Sequence, residues 1–140
     1  MTPDTDIAER LRQSIGHLVR VVRAQADTLP PPQAAALGTL DRDGPRTIAG
    51  LAAARGVKHQ SMSRTVGELE ALGLVTRTPN PDDRRAVLIT LTGAGVARLG
   101  EDREARRRWV AGAIAARLTA EERRVLQTVP DLLDRLAAGP

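Results

Sequence analysis

The chain has 140 residues, a formal net charge of +4 and a hydrophobic fraction of 41%, which comes almost wholly from aliphatic side chains. This length predicts one domain with a sizeable core. The lack of Cys excludes disulfides, thiolate catalysis and a thiol redox switch, and the presence of only two His residues argues against a His-based metal site. We expect no cofactor. No apolar run approaches the roughly 20 residues that span a bilayer, and no signal segment opens the chain, so we expect a cytoplasmic protein with no membrane partner.

The first 45 residues predict two helices. Residues 4–26 place apolar side chains at steps of three and four, which defines one helix face. This face consists of Ile7, Leu11, Ile15, Leu18 and Val22. Three prolines at positions 30–32 end the helix, because proline lacks the amide hydrogen and clashes inside a helix. A second helix is predicted from about Pro32 to Leu40, before a turn-rich segment over residues 41–45.

Two short helices that meet at a sharp turn are predicted next. Thr47 is the expected N-cap of a helix that ends at Arg55, and Gly56-Val57 supplies the turn. The following helix, over residues 59–72, directs its apolar side chains toward the preceding one. These side chains are Met62, Val66, Leu69 and Leu72. The first turns and outward face then carry Lys58, His59, Gln60, Ser61, Ser63 and Arg64.

The polar side chains of this helix suit a DNA groove. The N-terminal turns of a recognition helix reach base edges, and the helix dipole there favours phosphate. Gln60 can pair with adenine, whereas Lys58 and Arg64 can neutralise phosphates or read guanine. The Ser and His side chains can contact bases or phosphates. The alternative is that the Ser, Gln and His residues are capping and surface residues.

Basic residues are concentrated around this helix. Between Gly44 and Gly67 the sequence contains no Asp or Glu, although Arg46, Arg55, Lys58 and Arg64 all fall in that window. Such a cluster is typical of a nucleic-acid-binding face, with chance clustering in an Arg-rich chain as the alternative.

A hairpin with a basic tip follows. Residues 74–78 and 86–91 both predict strands. Two prolines and two aspartates build a stiff loop between them, which ends with Arg84 and Arg85 and suits insertion into a narrow minor groove. Asp83 is expected to hold an arginine fork in place, and a simple surface ion pair is the alternative.

Two helices at a sharp turn and a hairpin form the pattern of a winged helix-turn-helix. Residues 57–64 (VKHQSMSR), 69–75 (LEALGLV) and 80–92 (NPDDRRAVLITLT) resemble the MarR family of bacterial transcriptional regulators. In the third segment, Asp83 and Arg85 match the Asp-x-Arg of the family's wing signature, which a Leu-Thr pair follows. The resemblance in length and helix order covers nearly the whole chain.

The resemblance implies a mainly α fold with a small β wing. It implies a single domain over residues 1–140, with a winged helix-turn-helix at 31–92 and a helical dimerisation region at 4–30 and 93–138. The implied assembly is a homodimer that places two winged modules on a palindromic operator in double-stranded DNA. Physical reasoning agrees, because one module buries too little surface for tight specific binding.

The C-terminal part predicts further helices. Thr92 can cap a long helix that continues to about Arg117, and residues 119–122 form a capping box that opens another helix. Pro130 should kink or break this last helix, or restart it at Asp131. Its apolar stripe packs either within the chain or against a second chain. This stripe consists of Val125, Val129, Leu132, Leu133 and Leu136.

Members of the family commonly bind small aromatic or phenolic effectors in a cleft between the dimer helices and the winged domain. His17, Arg20, Arg23 and Trp109 are either lining residues of such a cleft or residues of a helix surface or interface, and the sequence does not identify the ligand. Lys58 stands where relatives often have a small capping Ser. The lack of Cys excludes the peroxide-sensing chemistry of one branch of the family.

We therefore predict a sequence-specific DNA-binding transcriptional regulator. The expected form is a dimeric repressor at a palindromic operator, open to release by a small-molecule effector. We do not expect an enzyme, because no nucleophile stands with a base or beside a cofactor loop in the sequence. The alternative is a winged-helix module that binds protein or RNA, which would lack a steep dependence of DNA affinity on salt.

Overall fold

In the computed structural model of the protein, residues 2–139 are described, and they form two compact units that divide after Arg106. The first unit contains α1 (Pro3–Ala26), α2 (Pro31–Asp43), α3 (Ile48–Arg55), α4 (His59–Ala71), β1 (Val75–Asn80), β2 (Asp83–Leu91) and the start of α5 (Gly93–Arg117). The second contains the end of α5 with α6 (Ala120–Leu126) and α7 (Val129–Ala137). This order confirms the predicted mainly helical fold with a small β hairpin. Among the helices described, none combines the length and the apolar character that crossing a membrane requires.

The helix ends around α3 have the predicted capping groups. The Oγ1 atom of Thr47 accepts a hydrogen bond from the Gly50 N–H at 3.0 Å, which confirms Thr47 as the N-cap of α3. Gly56 ends α3 with a φ of 64°, in the left-handed region that glycine adopts without strain. The predicted end of α2 at Leu40 is wrong, because the chain stays helical until Gly44 takes a φ of 81°.

The core of the first unit lies between α2, α3, α4 and the hairpin. Its largest fully buried side chains are Leu37, Leu51, Val66, Leu69 and Ile89. On α4, the structure confirms Met62, Val66 and Leu69 as core residues. The prediction for Leu72 is wrong, since its side chain is 52% exposed. Leu72 caps the C-terminus of α4 and no longer follows the buried face of the helix.

The hairpin is longer and its connection tighter than predicted. Strands β1 and β2 pair antiparallel as far as Asn80 opposite Asp83, so only residues 81 and 82 connect them. The Oδ1 atom of Asn80 accepts a hydrogen bond from the Asp82 N–H at 3.0 Å and closes this turn. The predicted loop over residues 79–85 is therefore wrong in extent. Arg84 and Arg85 belong to β2.

Thr92 joins the hairpin to α5. Its Oγ1 atom accepts a hydrogen bond from the Gly95 N–H at 3.1 Å, which confirms the predicted cap, and donates one to the Gly73 carbonyl at 2.6 Å. Gly95 is buried, and a Cβ atom there would collide with the carbonyl oxygen of Leu74. The close approach of α5 to the base of the hairpin therefore requires glycine at position 95.

Most of the apolar stripe predicted for α1 is exposed to solvent in the first unit. Within the first unit Val22 is buried, whereas Ile7 is 63% and Leu18 is 52% exposed. A contiguous exposed apolar face on a folded protein is typical of an interaction surface.

The second unit contains the predicted capping box at the start of α6. The Glu122 N–H donates to Thr119 Oγ1 at 3.1 Å, and the Thr119 N–H donates to Glu122 Oε1 at 2.9 Å. Pro130 lies in the first turn of a new helix, α7, which begins at Val129 rather than at Asp131. Proline is tolerated there because the first amides of a helix have no intrahelical acceptor. The exposed members of the predicted stripe are Val125, Leu132 and Leu136.

Candidate nucleic-acid interface

The first turns of α4 present the predicted polar side chains to solvent. The exposed residues are Lys58, His59, Gln60, Ser61 and Arg64, and Ser63 is half-buried. Lys58 is the N-cap residue, and among residues 2–139 no side chain caps this helix. The first amides of α4 are therefore available to a ligand or to water. Because the helix macrodipole is positive at this end, an anion is favoured there.

Arg64 forms an ion pair within α4. Its Nε atom donates to Glu68 Oε1 at 3.1 Å, and Glu68 Oε2 accepts a hydrogen bond from Gln33 Nε2 of α2 at 2.6 Å. The pair between Arg64 and Glu68 is exposed, and such pairs contribute at most about 1 kcal/mol. A phosphate can therefore compete with Glu68 for the Arg64 guanidinium.

Asp83 supports the hairpin in a way that differs from the prediction. Its Oδ1 atom accepts a hydrogen bond from the backbone N–H of Arg85 at 3.0 Å. The structure thus corrects the expected partner, because a short carboxylate reaches the N–H two residues along the chain more readily than a guanidinium. Asp83 shapes the backbone, and both Arg84 and Arg85 are exposed.

An open groove of about 430 Å³ lies between the start of α4 and the hairpin. Its lining comes from the starts of α3 and α4 and from both strands, and consists of Thr47, Ile48, Ala49, His59, Arg77, Arg85, Ala86 and Val87. We call it the interface groove. None of these lining residues is acidic. His59 and Arg85, which the sequence assigns to different motifs, therefore share one surface.

Arg77 is a lining residue that the sequence analysis missed. Its Nε atom lies 3.2 Å from both carboxylate oxygens of Glu70 on α4. No local motif marks Arg77, since its position in the groove depends on how β1 packs beside α4. It adds a second guanidinium to the groove beside Arg85.

Two more of the predicted site residues line a different cavity. Ser61 and Arg64 contribute to a space of about 560 Å³ in the first unit, which we call the large cavity. Its other lining residues are Arg23, Pro30, Pro31, Pro32, Gln33, Arg55, Val57, Met62, Thr65 and Glu68. The predicted site residues that line neither space are Lys58, Gln60, Ser63 and Arg84.

The four residues considered for an effector cleft lie in different surroundings. Arg23 lines the large cavity, His17 is exposed on α1, and Arg20 lines a separate cavity beside α1. Trp109 belongs to the second unit, where the Arg117 guanidinium lies 5.7 Å from its ring centroid. Within the part of the chain that the structure describes, no group of three or more His, Asp or Glu side chains could hold a metal ion.

Comparison with known sequences identifies relatives along most of the chain. The family model described as MarR family matches residues 27–86. An uncharacterised HTH-type transcriptional regulator of Mycobacterium bovis is 33% identical over 132 residues, which cover 93% of this chain and 92% of that protein. A second uncharacterised HTH-type regulator, from Mycobacterium leprae, is 30% identical with the same coverage.

Solved structures show the same fold. A putative transcriptional regulator from Pseudomonas aeruginosa is 30% identical, has a TM-score of 0.84, and matches over 100% of this chain and 99% of its own. Wild-type MarR from E. coli, in its apo form, has a TM-score of 0.72 at 22% identity and 99% coverage of both chains. The relatives are transcriptional regulators, which confirms the prediction that the chain is not an enzyme. The chain belongs to the MarR family of transcriptional regulators, with a winged helix-turn-helix fold.

Proposed function

We propose that the protein is a dimeric repressor that binds a palindromic operator and is released by a small-molecule effector. Residues 31–92 form the DNA-binding region in this proposal, and residues 4–30 and 93–138 form the dimerisation region. The side chains assigned to DNA are Lys58, His59, Gln60, Ser61, Ser63, Arg64, Arg84 and Arg85, with Asp83 as the support of the wing.

The observation that carries this proposal is the interface groove. It joins the N-terminus of α4 to the hairpin, and none of its lining residues is acidic. Arg77 is paired with Glu70, whereas the Arg85 guanidinium has no ion pair among residues 2–139. A guanidinium beside an uncapped helix N-terminus favours the phosphate backbone of DNA. With α4 in the major groove, Gln60 on its first turn is placed to read a base edge, and Arg85 reaches the adjacent minor groove.

Exposed apolar helix faces support the dimer. On α1 of the first unit, Ile7 and Leu18 are more than half exposed, and on α7 of the second unit Leu136 is 71% exposed. Full burial of such a side chain from a fully exposed state contributes about 1.5 to 3 kcal/mol. The three side chains are between 52% and 71% exposed, so a second copy that covers them adds part of that amount for each to the stability of the dimer. Two-fold symmetry then matches an operator of two half-sites about one helical turn of DNA apart.

The large cavity supports release by an effector. Ser61 and Arg64, which are assigned to DNA, also line this cavity. A ligand that contacts these side chains changes their position or the charge around them. A saturating ligand then lowers DNA affinity by the ratio of its own affinities for the free and the DNA-bound protein.

Selection of bound fragments from a random pool of duplex DNA tests the proposal. We expect an inverted repeat, bound in preference to random competitor at near-physiological salt, with an affinity that falls steeply as salt rises. A winged-helix module that binds protein or RNA would give no enriched duplex and no such salt dependence. Enrichment of a site without two-fold symmetry would contradict the dimeric arrangement.

A further inference from the structure

Arg77 is a cationic residue of the interface groove to which the proposed function assigns no role. It lies on β1, and the groove places it on one surface with His59 at the start of α4 and Arg85 on β2. The side chains assigned to DNA come from residues 58–64 and from β2, so β1 contributes none of them. What Arg77 can bind depends on how its backbone and its guanidinium are held.

The β hairpin fixes the backbone of Arg77. Arg77 pairs with Ile89 of β2, and a single bridge joins the other edge of Ile89 to Arg46. In this bridge the Ile89 N–H donates to the Arg46 carbonyl at 2.7 Å, and the Arg46 N–H donates to the Ile89 carbonyl at 3.3 Å. The Ile89 side chain is fully buried in the core. The strand position of Arg77 is therefore anchored to the core of the first unit.

Glu70 holds the guanidinium of Arg77. The Nε–H group donates to both carboxylate oxygens of Glu70 on α4, at 3.2 Å each. A guanidinium has N–H groups on three nitrogens, and this contact uses only the one on Nε. Within residues 2–139, the two Nη atoms of Arg77 make no hydrogen bond. Because Arg77 lines the interface groove and Glu70 does not, the groove presents the guanidinium to a ligand rather than the carboxylate.

The interface groove lies where a strand of the DNA backbone has to pass. In a duplex, a sugar–phosphate strand separates the major groove from the adjacent minor groove. The proposed function places α4 in the major groove and the hairpin in the adjacent minor groove. The strand between them must then cross the space between the start of α4 and the hairpin, which is the interface groove. Phosphate oxygens, and not base edges, therefore face the side chains that line it.

We propose that Arg77 binds a phosphate of this strand and that Glu70 is the residue that positions it. The inference rests on the proposed function, because it depends on where α4 and the hairpin meet the duplex. The paired N–H groups of the Nη edge match two phosphate oxygens. Glu70 holds the guanidinium before DNA binds, so less side-chain freedom is lost on binding. A phosphate contact carries no sequence information, so Arg77 adds affinity equally on every sequence.

The first test measures DNA affinity of the full chain by fluorescence anisotropy. The probes are the selected operator and a random-sequence duplex of the same length, each at several salt concentrations. Arg77→Gln should weaken binding to both by about tenfold for each bound copy, the loss expected for a charge-assisted hydrogen bond. The slope of log affinity against log salt should fall in magnitude by about 1 per copy. Circular dichroism melting of each variant checks the fold.

The control for net charge is Arg42→Gln, an exposed arginine on α2 outside the interface groove, which should bind like the wild type. An equal loss in this control would show general attraction of the duplex and refute the contact. Unchanged affinity and salt slope for Arg77→Gln would also overturn it. A loss on the operator alone would make Arg77 a reader of bases and contradict the phosphate assignment.

The second test separates the positioning role of Glu70 from its charge. Glu70→Ala and Glu70→Gln remove the same charge, but only Gln keeps an acceptor for the Arg77 Nε–H. For each bound copy, Glu70→Ala should therefore bind about threefold to tenfold more weakly than Glu70→Gln, the cost of ordering a free arginine side chain. Equal affinities would refute the positioning role.

The same pair of Glu70 variants on an Arg77→Gln background completes the test. Without the guanidinium the two variants should bind DNA equally. A difference that persists there would assign the effect to α4 itself and contradict positioning of Arg77. If no operator is enriched, the proposed sequence-specific function fails, whereas the random-sequence duplex still decides whether Arg77 contributes a phosphate contact.

Discussion

Removal of the Arg85 side chain is the most direct test of the hairpin in DNA binding. Arg85 is exposed, and among residues 2–139 its guanidinium has no hydrogen bond or ion pair, while its backbone N–H donates to Asp83. Arg85→Ala keeps that backbone bond. We therefore expect the free energy of unfolding to change by no more than about 0.5 kcal/mol, as for other surface substitutions.

The expected loss of DNA affinity is much larger than this change in stability. A hydrogen bond to a charged group contributes about 1.5 to 3 kcal/mol, and the proposed dimer loses two copies of it. Even the lower value gives about 3 kcal/mol, which is roughly a hundredfold in Kd. If each arginine also neutralises a phosphate, the slope of log affinity against log salt should decrease in magnitude by about 2 per dimer.

Fluorescence anisotropy with the selected operator at several salt concentrations measures both quantities. Arg42→Ala is the control, because Arg42 is also an exposed arginine but lies on α2, outside the interface groove and outside the proposed dimerisation region. Unchanged affinity and salt slope for Arg85→Ala, with the fold intact by circular dichroism, would refute the role of the hairpin. An equal loss for Arg42→Ala would show that only net charge matters.

Three further predictions test sequence reading, assembly and packing. Gln60→Ala should cost roughly 1 to 3 kcal/mol at one base position of the operator, and an equal loss on all sequences would make Gln60 a backbone contact. If the apolar stripe of α6 and α7 lies in the interface of the proposed dimer, Leu132→Asp should give a monomer in light scattering, because it introduces charge there; an intact dimer would contradict the assignment of the stripe to the interface. Gly95→Ala should lower the free energy of unfolding by about 1 to 3 kcal/mol through its clash with the Leu74 carbonyl. Gly100→Ala on the same helix meets no neighbouring atom and should raise it by about 0.5 to 1 kcal/mol, so equal melting temperatures for the two variants would refute the packing argument.

Helix caps and buried helix faces depend on residues a few positions apart in the sequence, and they were predicted correctly. The caps at Thr47, Thr92 and Thr119 are confirmed, because each joins a side chain to an amide three residues along the chain. The buried face of α4 follows from helical periodicity for the same reason. Leu72 shows the limit of this reasoning, since a periodic pattern does not reveal where the helix ends.

The hairpin shows a second limit of local reasoning. Its strands extend closer to the tip than their composition indicates, because short side chains at Asn80 and Asp83 bond nearby amides and turn the chain within two residues. Prolines and aspartates in this segment suggested a longer loop. The basic residues of the hairpin were nevertheless identified correctly as exposed side chains.

Local chemistry in the 140 residues thus accounts for the helices, their caps and the polar face of α4, since these depend on atoms a few positions apart. The interface groove arises from contacts between distant segments. His59 and Arg85 line the same groove because α4 packs beside the hairpin. Periodicity and charge counts carry no information on such distances, because the folded core sets them.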